Sequence, residues 1–298
     1  MSRYALLILG IAGLSMAGIF YKMAQAPVLT IVAYRMLLAA LFMVPVALIS
    51  RASGGQTRSR FSRSDTIVTL VSGTLFALDL ALWATSLSFT SVASAALFVS
   101  TQPIFVAVLA ALIFRERPTL LVLAGIAIGV AGMAVVGWQD VRLSGSALWG
   151  DALAMLAALA ETGYLLCGRQ VRKRIDAPRY ALAVYAICAA VITATAFAQR
   201  NIIAVSVHDL LMCAGLAIVA TVLGHTLVSL SLGYMPAAVV AVSFLAQPLL
   251  AAVFALIFLS QLIPAATVLG GLIALAGIGL VAYSNEQEKR VPEEALPM

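Results

Sequence analysis

Apolar positions follow one another in this chain in long unbroken blocks, separated by short clusters of Arg, Lys, Ser, Gly and Pro. The blocks fall at 4–21, 29–49, 66–89, 92–114, 119–138, 147–168, 180–198, 209–233, 237–259 and 264–283. A run of about 20 apolar residues is what a helix needs to cross the hydrocarbon of a bilayer. These blocks are apolar on every side and lack the alternation of a membrane strand. Helices satisfy their own backbone inside lipid, so the pattern predicts an all-α polytopic membrane protein with ten transmembrane helices. Ala24-Gln25-Ala26 resembles a signal-peptide cleavage site. The first block is longer than a typical signal core, Pro27 would follow the cut directly, and a second block begins near Leu29, so it is expected to remain as a span.

Composition narrows the classes. Of 298 residues, 63% are hydrophobic and 10% charged, against roughly 25% charged in a soluble domain. Too little polar surface remains to clothe a water-soluble particle. The net charge of +6 is explained by topology, because Lys and Arg collect in cytoplasmic loops. With the N-terminus inside, fourteen of the 18 Lys and Arg fall on cytoplasmic segments, three (Lys22, Arg142, Arg200) outside, and Arg35 within a span. Both termini are therefore expected in the cytoplasm. Cys167, Cys188 and Cys213 lie in apolar blocks without metal-binding or CxxC spacing, and are expected to be packing residues.

The chain also carries a copy of itself shifted by 145 residues. Residues 86–136 and 231–281 match without a gap at 14 of 51 positions. Gln102-Pro103 falls on Gln247-Pro248, Gly125 on Gly270 and Gly132 on Gly277; Gly18 falls on Gly163. Each half then holds five spans, and an odd number places the halves upside down to one another. The expected organisation is a first repeat over 1–140, a second, inverted repeat over 146–285 and a cytoplasmic tail over 286–298. Inverted repeats are an architecture of secondary transporters, with the site near mid-membrane between them.

The run WATSLSFTSVASAALFVSTQPIFVAVLAALIFRERPT (83–119), the glycine-rich span from Gly125, Lys22 at the end of span one and Arg35-Met36-Leu37-Leu38-Ala39 in span two resemble the drug/metabolite transporter superfamily, EamA type. The resemblance covers essentially the whole chain. It implies a ten-helix carrier in the bacterial inner membrane, most of whose relatives export amino acids, aromatic ones among them, and other small metabolites. Gln261 stands where the first half has Glu116, so the acidic residue closing the fourth span has no acidic counterpart.

Ionisable residues inside a span are costly and face the bundle interior or a cavity. Asp79 and Glu161 both lie past the middle of their spans. Each is a candidate to bind a substrate ammonium or to accept a proton. Trp83 shares the face of Asp79, and Tyr164 lies near Glu161. His225 forms a polar stripe with Thr221 and Ser229. Gln102 and Gln247 precede Pro103 and Pro248, which would kink two helices and serve as hinges. The expected substrate site is Phe20, Asp79, Trp83, Phe98, Gln102, Glu161, Tyr164, His225, Ser243 and Gln247, partly on the resemblance. Arg35 is read as shallow enough to snorkel or to pair with a helix end, and Lys22 as an interface anchor, with gating or substrate contact as the alternative. Gly125 and Gly129 form GxxxG, expected to bring two helices close.

No phosphate-binding loop, HExxH or GxSxG is present, so ATP hydrolysis and the commonest hydrolase chemistries find no motif here. No cofactor or metal is expected. The expected partners are a small-molecule substrate and the lipid bilayer, with no nucleic acid and a monomeric carrier. Export of drugs or nucleoside- and purine-like metabolites is the competing substrate reading. A pore or membrane scaffold is the competing class. On the predicted topology, single cysteines at Arg58 and Arg174 react with a membrane-impermeant maleimide in inside-out vesicles only. Labelling of either in intact cells contradicts the orientation.

Overall fold

The computed structural model describes residues 3–52, 61–102, 104–105, 108–109, 119–143, 145–172, 174–200, 204–225, 227 and 246–290. Span one is two helices, α1 (Arg3–Ser15) and α2 (Ala17–Met23), broken at Met16. There follow α3 (Val28–Ala52), α4 (Arg63–Ser86), α5 (Val92–Val99), α6 (Leu120–Leu143), α7 (Ala147–Val171) and α8 (Ala177–Ala198). Span eight joins α9 (Val207–Gly215) to a π-helical stretch, Leu216–His225. Spans nine and ten are α10 (Ala246–Leu259) and α11 (Ala265–Arg290). There is no strand among the described residues. Among the described residues, six stretches are long and apolar enough to cross a membrane: Ala5–Met23, Val28–Ile49, Arg63–Ser86, Ala147–Gly168, Ala177–Ala198 and Val207–Gly224. Leu120–Val136, Ala246–Leu259 and Ala265–Leu280 are shorter apolar helices.

Local sequence explains where the helices begin and end. Ser62 caps α4 by accepting from Asp65 N–H at 3.1 Å, while Ser62 N–H donates to the Asp65 carboxylate at 3.0 Å. That reciprocal box satisfies two donors that a helix N-terminus leaves open. Ser91 and Ser206 cap α5 and α9 in the same way, accepting from the N–H groups of Ser94 and Asp209. α10 ends where Ser260 turns left-handed (φ 52°), as residues just past a helix end often do, and Gln261 N–H reaches back six residues to Ala255 C=O at 3.2 Å. The Gln261 side chain then accepts from Val92 N–H at the start of α5, 3.3 Å away. The glutamine that departs from the repeat thus joins span nine to span four.

α4 packs on α7 and α8, α3 on α8 and the π stretch, α1 on the π stretch and α10, α5 on α7 and α10, and α6 on α11. Exchanging each span with the one five further on turns these pairs into one another. The tightest seam is between α6 and α11. A Cβ on Gly132 would lie 2.3 Å from Ala274 N and 2.6 Å from Gly270 O, and one on Gly277 would lie 2.2 Å from Gly129 N and 2.6 Å from Gly125 O. The 145-residue shift carries each of these contacts onto the other. Only residues without a side chain let the two backbones approach this closely.

The core is divided. A large cluster draws on α2, α3, α4, α5, α7, α8, α10 and span eight, including Met36, Phe76, Leu80, Tyr185, Cys188 and Leu216. A smaller one sits on the glycine seam, with Phe98, Met133, Val136 and Ile278. The cysteines are free, Cys188 and Cys213 being buried. Because the seam atoms are backbone and cannot yield, Gly132→Ala and Gly277→Ala are each expected to lower stability by about 1–3 kcal/mol, the range of overpacking. Thermal melting in detergent measures this, and unchanged melting of both contradicts the seam.

Candidate functional site

Three charged side chains from three spans meet inside the large cluster. Arg35, on α3, is 3% exposed. Asp79, on α4, is 5% exposed and lies within electrostatic reach of both Arg35 and Glu161, the latter on α7. Insertion scales put a charge at mid-membrane at about 3 kcal/mol unfavourable, so three in one place need a reason.

Arg35 does not snorkel. Its Nε donates to Thr221 Oγ1 at 2.9 Å and its Nη1 to the Tyr21 hydroxyl at 3.2 Å, with the guanidinium 5.8 Å from the Tyr21 ring centroid. The sequence reading fails here because depth along a helix does not reveal which way the side chain points. Helix α3 turns residue 35 into the bundle, where spans one and eight supply neutral oxygens. Thr221 is presented by the π-helical stretch, and its own hydroxyl donates to Leu216 C=O five residues back, at 3.0 Å. Among the described residues Arg35 forms no ion pair within 4 Å and bonds only these two neutral groups.

Aromatic rings wall the charges. Phe76, one turn before Asp79, stacks on Tyr164 at 4.7 Å and Tyr185 at 6.0 Å between centroids. Trp83, one turn after Asp79, meets Tyr21 edge-on at 5.6 Å. Trp83 Nε1 is buried and has no hydrogen-bond partner among the described residues. Ser72 ties α4 to its neighbours through the Tyr180 hydroxyl and Tyr164 C=O. A cavity of about 240 Å³, lined by Tyr21, Lys22, Ile31, Ala84 and Leu87 among others, stands over the Tyr21 side of the cluster.

Of the expected site, Asp79, Trp83, Glu161 and Tyr164 come together here. Phe98 does not join them; it belongs to the glycine-seam cluster and lines a separate apolar groove of about 450 Å³ with Trp138, Met133 and Asp151. Phe20 packs its ring over Gly215, where a Cβ would lie 2.6 Å away. Gln102 has a buried Nε2 with no partner among the described residues, and Gln247 C=O accepts from Ser15 Oγ at 3.3 Å. Pro248 is buried on α10. Ser243, Pro103 and the His225 side chain lie outside the described residues.

Arg35, Tyr21, Phe76 and Tyr185 are missed by the sequence reading. Arg35 alone left a signal: it is the one cation that the loop count places within a span. Lys22, expected as an interface anchor, donates to Leu87 C=O at the C-cap of α4 and to Thr90 C=O in the turn that follows, the latter at 3.2 Å. A cation at the negative end of a helix is favourable there. Asp151 is also buried, accepting from Thr90 Oγ1 at 3.0 Å.

The profile of the EamA-like transporter family matches residues 1–138 and again 148–283. No match to a curated protein was found. Among solved structures, the chain is similar to one described only as the crystal structure of a protein, with a TM-score of 0.63 and 16% identity over 95% of this chain and 99% of the other. At that identity the likeness concerns the fold.

Removing the Thr221 hydroxyl should leave a buried charged donor unsatisfied. Thr221→Val is expected to cost about 1–3 kcal/mol with Arg35 present and close to nothing in an Arg35→Met background. Equal melting shifts in the two backgrounds contradict the link.

Proposed function

Because the chain belongs to the EamA-like transporter family, we propose that it is a secondary transporter that exports small amphipathic metabolites, amino acids including aromatic ones, across the bacterial inner membrane by alternating access. A multi-pass membrane transporter of small molecules is what the family itself implies. The observation that carries the finer reading is the convergence of Arg35, Asp79 and Glu161, from three spans, inside an aromatic-walled core. Charges of both signs with apolar walls suit a small amphipathic solute.

Two inverted halves, 1–140 and 146–285, supply the moving parts, with both termini cytoplasmic and residues 286–298 as a tail. This reading is supported by the exchange of helix pairs under the five-span shift and by the reciprocal contacts of Gly132 and Gly277. The cavity beside Tyr21 is then the outer vestibule. Pro103 and Pro248 are the proposed hinges. Phe20, Gln102, His225, Ser243 and Gln247 remain proposed contributors on spans one, four, eight and nine. Phe98 is proposed as part of the wall toward the apolar groove. The carrier works as a monomer, without cofactor and without enzymatic chemistry.

Net flux follows the substrate's own gradient. A second reading, proton antiport, is favoured by one observation: Asp79 and Glu161 are in electrostatic reach of each other, a pair on which one proton can be shared. Proteoliposomes separate the possibilities. Preloaded unlabelled amino acid is expected to drive transient counterflow of labelled amino acid, which a pore cannot do; its absence contradicts the carrier. A pH gradient without a substrate gradient is expected to give no uphill accumulation. Accumulation that disappears in both Asp79→Asn and Glu161→Gln establishes antiport instead.

A further inference from the structure

The guanidinium and the carboxylates in this core stand near one another without closing into an ion pair. Arg35 spends its described hydrogen bonds on two neutral hydroxyls while remaining in electrostatic reach of Asp79. Among the described residues, neither the Asp79 nor the Glu161 carboxyl is closed into an ion pair. Beside Tyr21, which holds Arg35, Trp83 Nε1 is a buried donor without a partner among the described residues. A buried charge left open is costly, and a structural ion pair would have closed the gap. The helices are independent: Arg35 comes from α3, Asp79 and Trp83 from α4, and Glu161 from α7.

We propose that Arg35 and the Asp79–Glu161 pair are the two poles of a site for one free zwitterion, the guanidinium taking the ligand carboxylate and the pair taking its ammonium. This rests on the transport reading above and adds the residue that sets substrate class. A guanidinium presents a planar fork that matches a carboxylate with two parallel hydrogen bonds, which a hydroxyl cannot offer. The ligand carboxylate replaces the Thr221 and Tyr21 oxygens as the Arg35 partner, and Trp83 Nε1–H adds a neutral donor. Its side chain lies against Phe76, Tyr164 and Tyr185. Entry through the 240 Å³ cavity delivers the ligand to Tyr21, the residue that already holds Arg35. An amine without a carboxylate leaves the Arg35 pole unmatched, and an acid without an amine leaves the carboxylate pole unmatched. A site built to bond both groups rejects each by about 100-fold or more.

The test uses full-length protein in proteoliposomes, with labelled L-phenylalanine as the probe and phenethylamine or 3-phenylpropionate as competitors. Wild type is expected to carry phenylalanine and to be poorly inhibited by either competitor. In Arg35→Gln, phenethylamine potency relative to phenylalanine is expected to rise by about 100-fold, because the carboxylate pole then faces a cation without opposition. Should Arg35→Gln fail to fold, Arg35→Lys keeps the charge but loses the fork, and about a 10-fold shift in the same direction is expected. Asp79→Asn shifts relative potency the other way, toward 3-phenylpropionate. Unchanged competitor ratios in both Arg35→Lys and Asp79→Asn overturn the two-pole site. A wild type that moves phenylalanine with those unchanged ratios leaves the transport reading intact, whereas a wild type that carries no amino acid removes that reading and this inference with it.

Discussion

A guanidinium removed from water must be matched by oxygen atoms, and in this protein the match is made by hydroxyls rather than by a carboxylate. Arg35 reaches Tyr21 on span one and Thr221 on span eight, so one side chain fastens three helices drawn from both halves of the chain. The neutral partners satisfy two donors without cancelling the charge. What remains is a positive pole beside the Asp79 carboxyl, each buried and not closed into an ion pair among the described residues. A direct pair would be a staple; an open pair of poles is a receptor for a ligand that carries both charges.

Around the poles, the halves of the chain touch through a shared apolar cluster and, at two seams, through bare backbone. At the α6–α11 seam, glycine removes the side-chain layer and fixes the separation of the two helices. At span one against span eight, Gly13 does the same, with a Cβ there lying 2.8 Å from Val219 O. Met16 interrupts span one in the same neighbourhood, and span eight runs in π geometry. Irregular backbone at membrane depth is tolerated where it is buried in protein. π geometry is frequent at functional sites. Here it presents Thr221 to Arg35.

Much of this was legible in the sequence, for reasons that can be named. Block length and all-round apolarity pointed to the six stretches that are long and apolar enough to cross a membrane among the described residues, because a bilayer sets the length of a spanning helix. The glycine pairs were visible through the internal repeat, and the structure brings Gly132 and Gly277 into the seam that the GxxxG pattern implied. Asp79 and Glu161 stood out as ionisable groups at mid-span, and the structure places them near one another, with Trp83 and Tyr164 close by. Arg35 was misread for a geometric reason: counting from the helix start gives depth, whereas burial depends on rotation about the helix axis. Phe98 was misplaced because its proximity to Gln102 along span four says nothing about which cluster receives its ring. The break at Met16 and the π register of span eight leave no mark in hydropathy at all.

The most direct measurement is a structure of the full-length protein with a bound aromatic amino acid that carries bromine on its ring. The account predicts one ligand per chain, its carboxylate on Arg35, its amine toward Asp79 and Glu161, and an anomalous peak among Phe76, Tyr164 and Tyr185. A ligand seated in the groove of Phe98 and Trp138, with Arg35 still bonded to Thr221 and Tyr21, contradicts it.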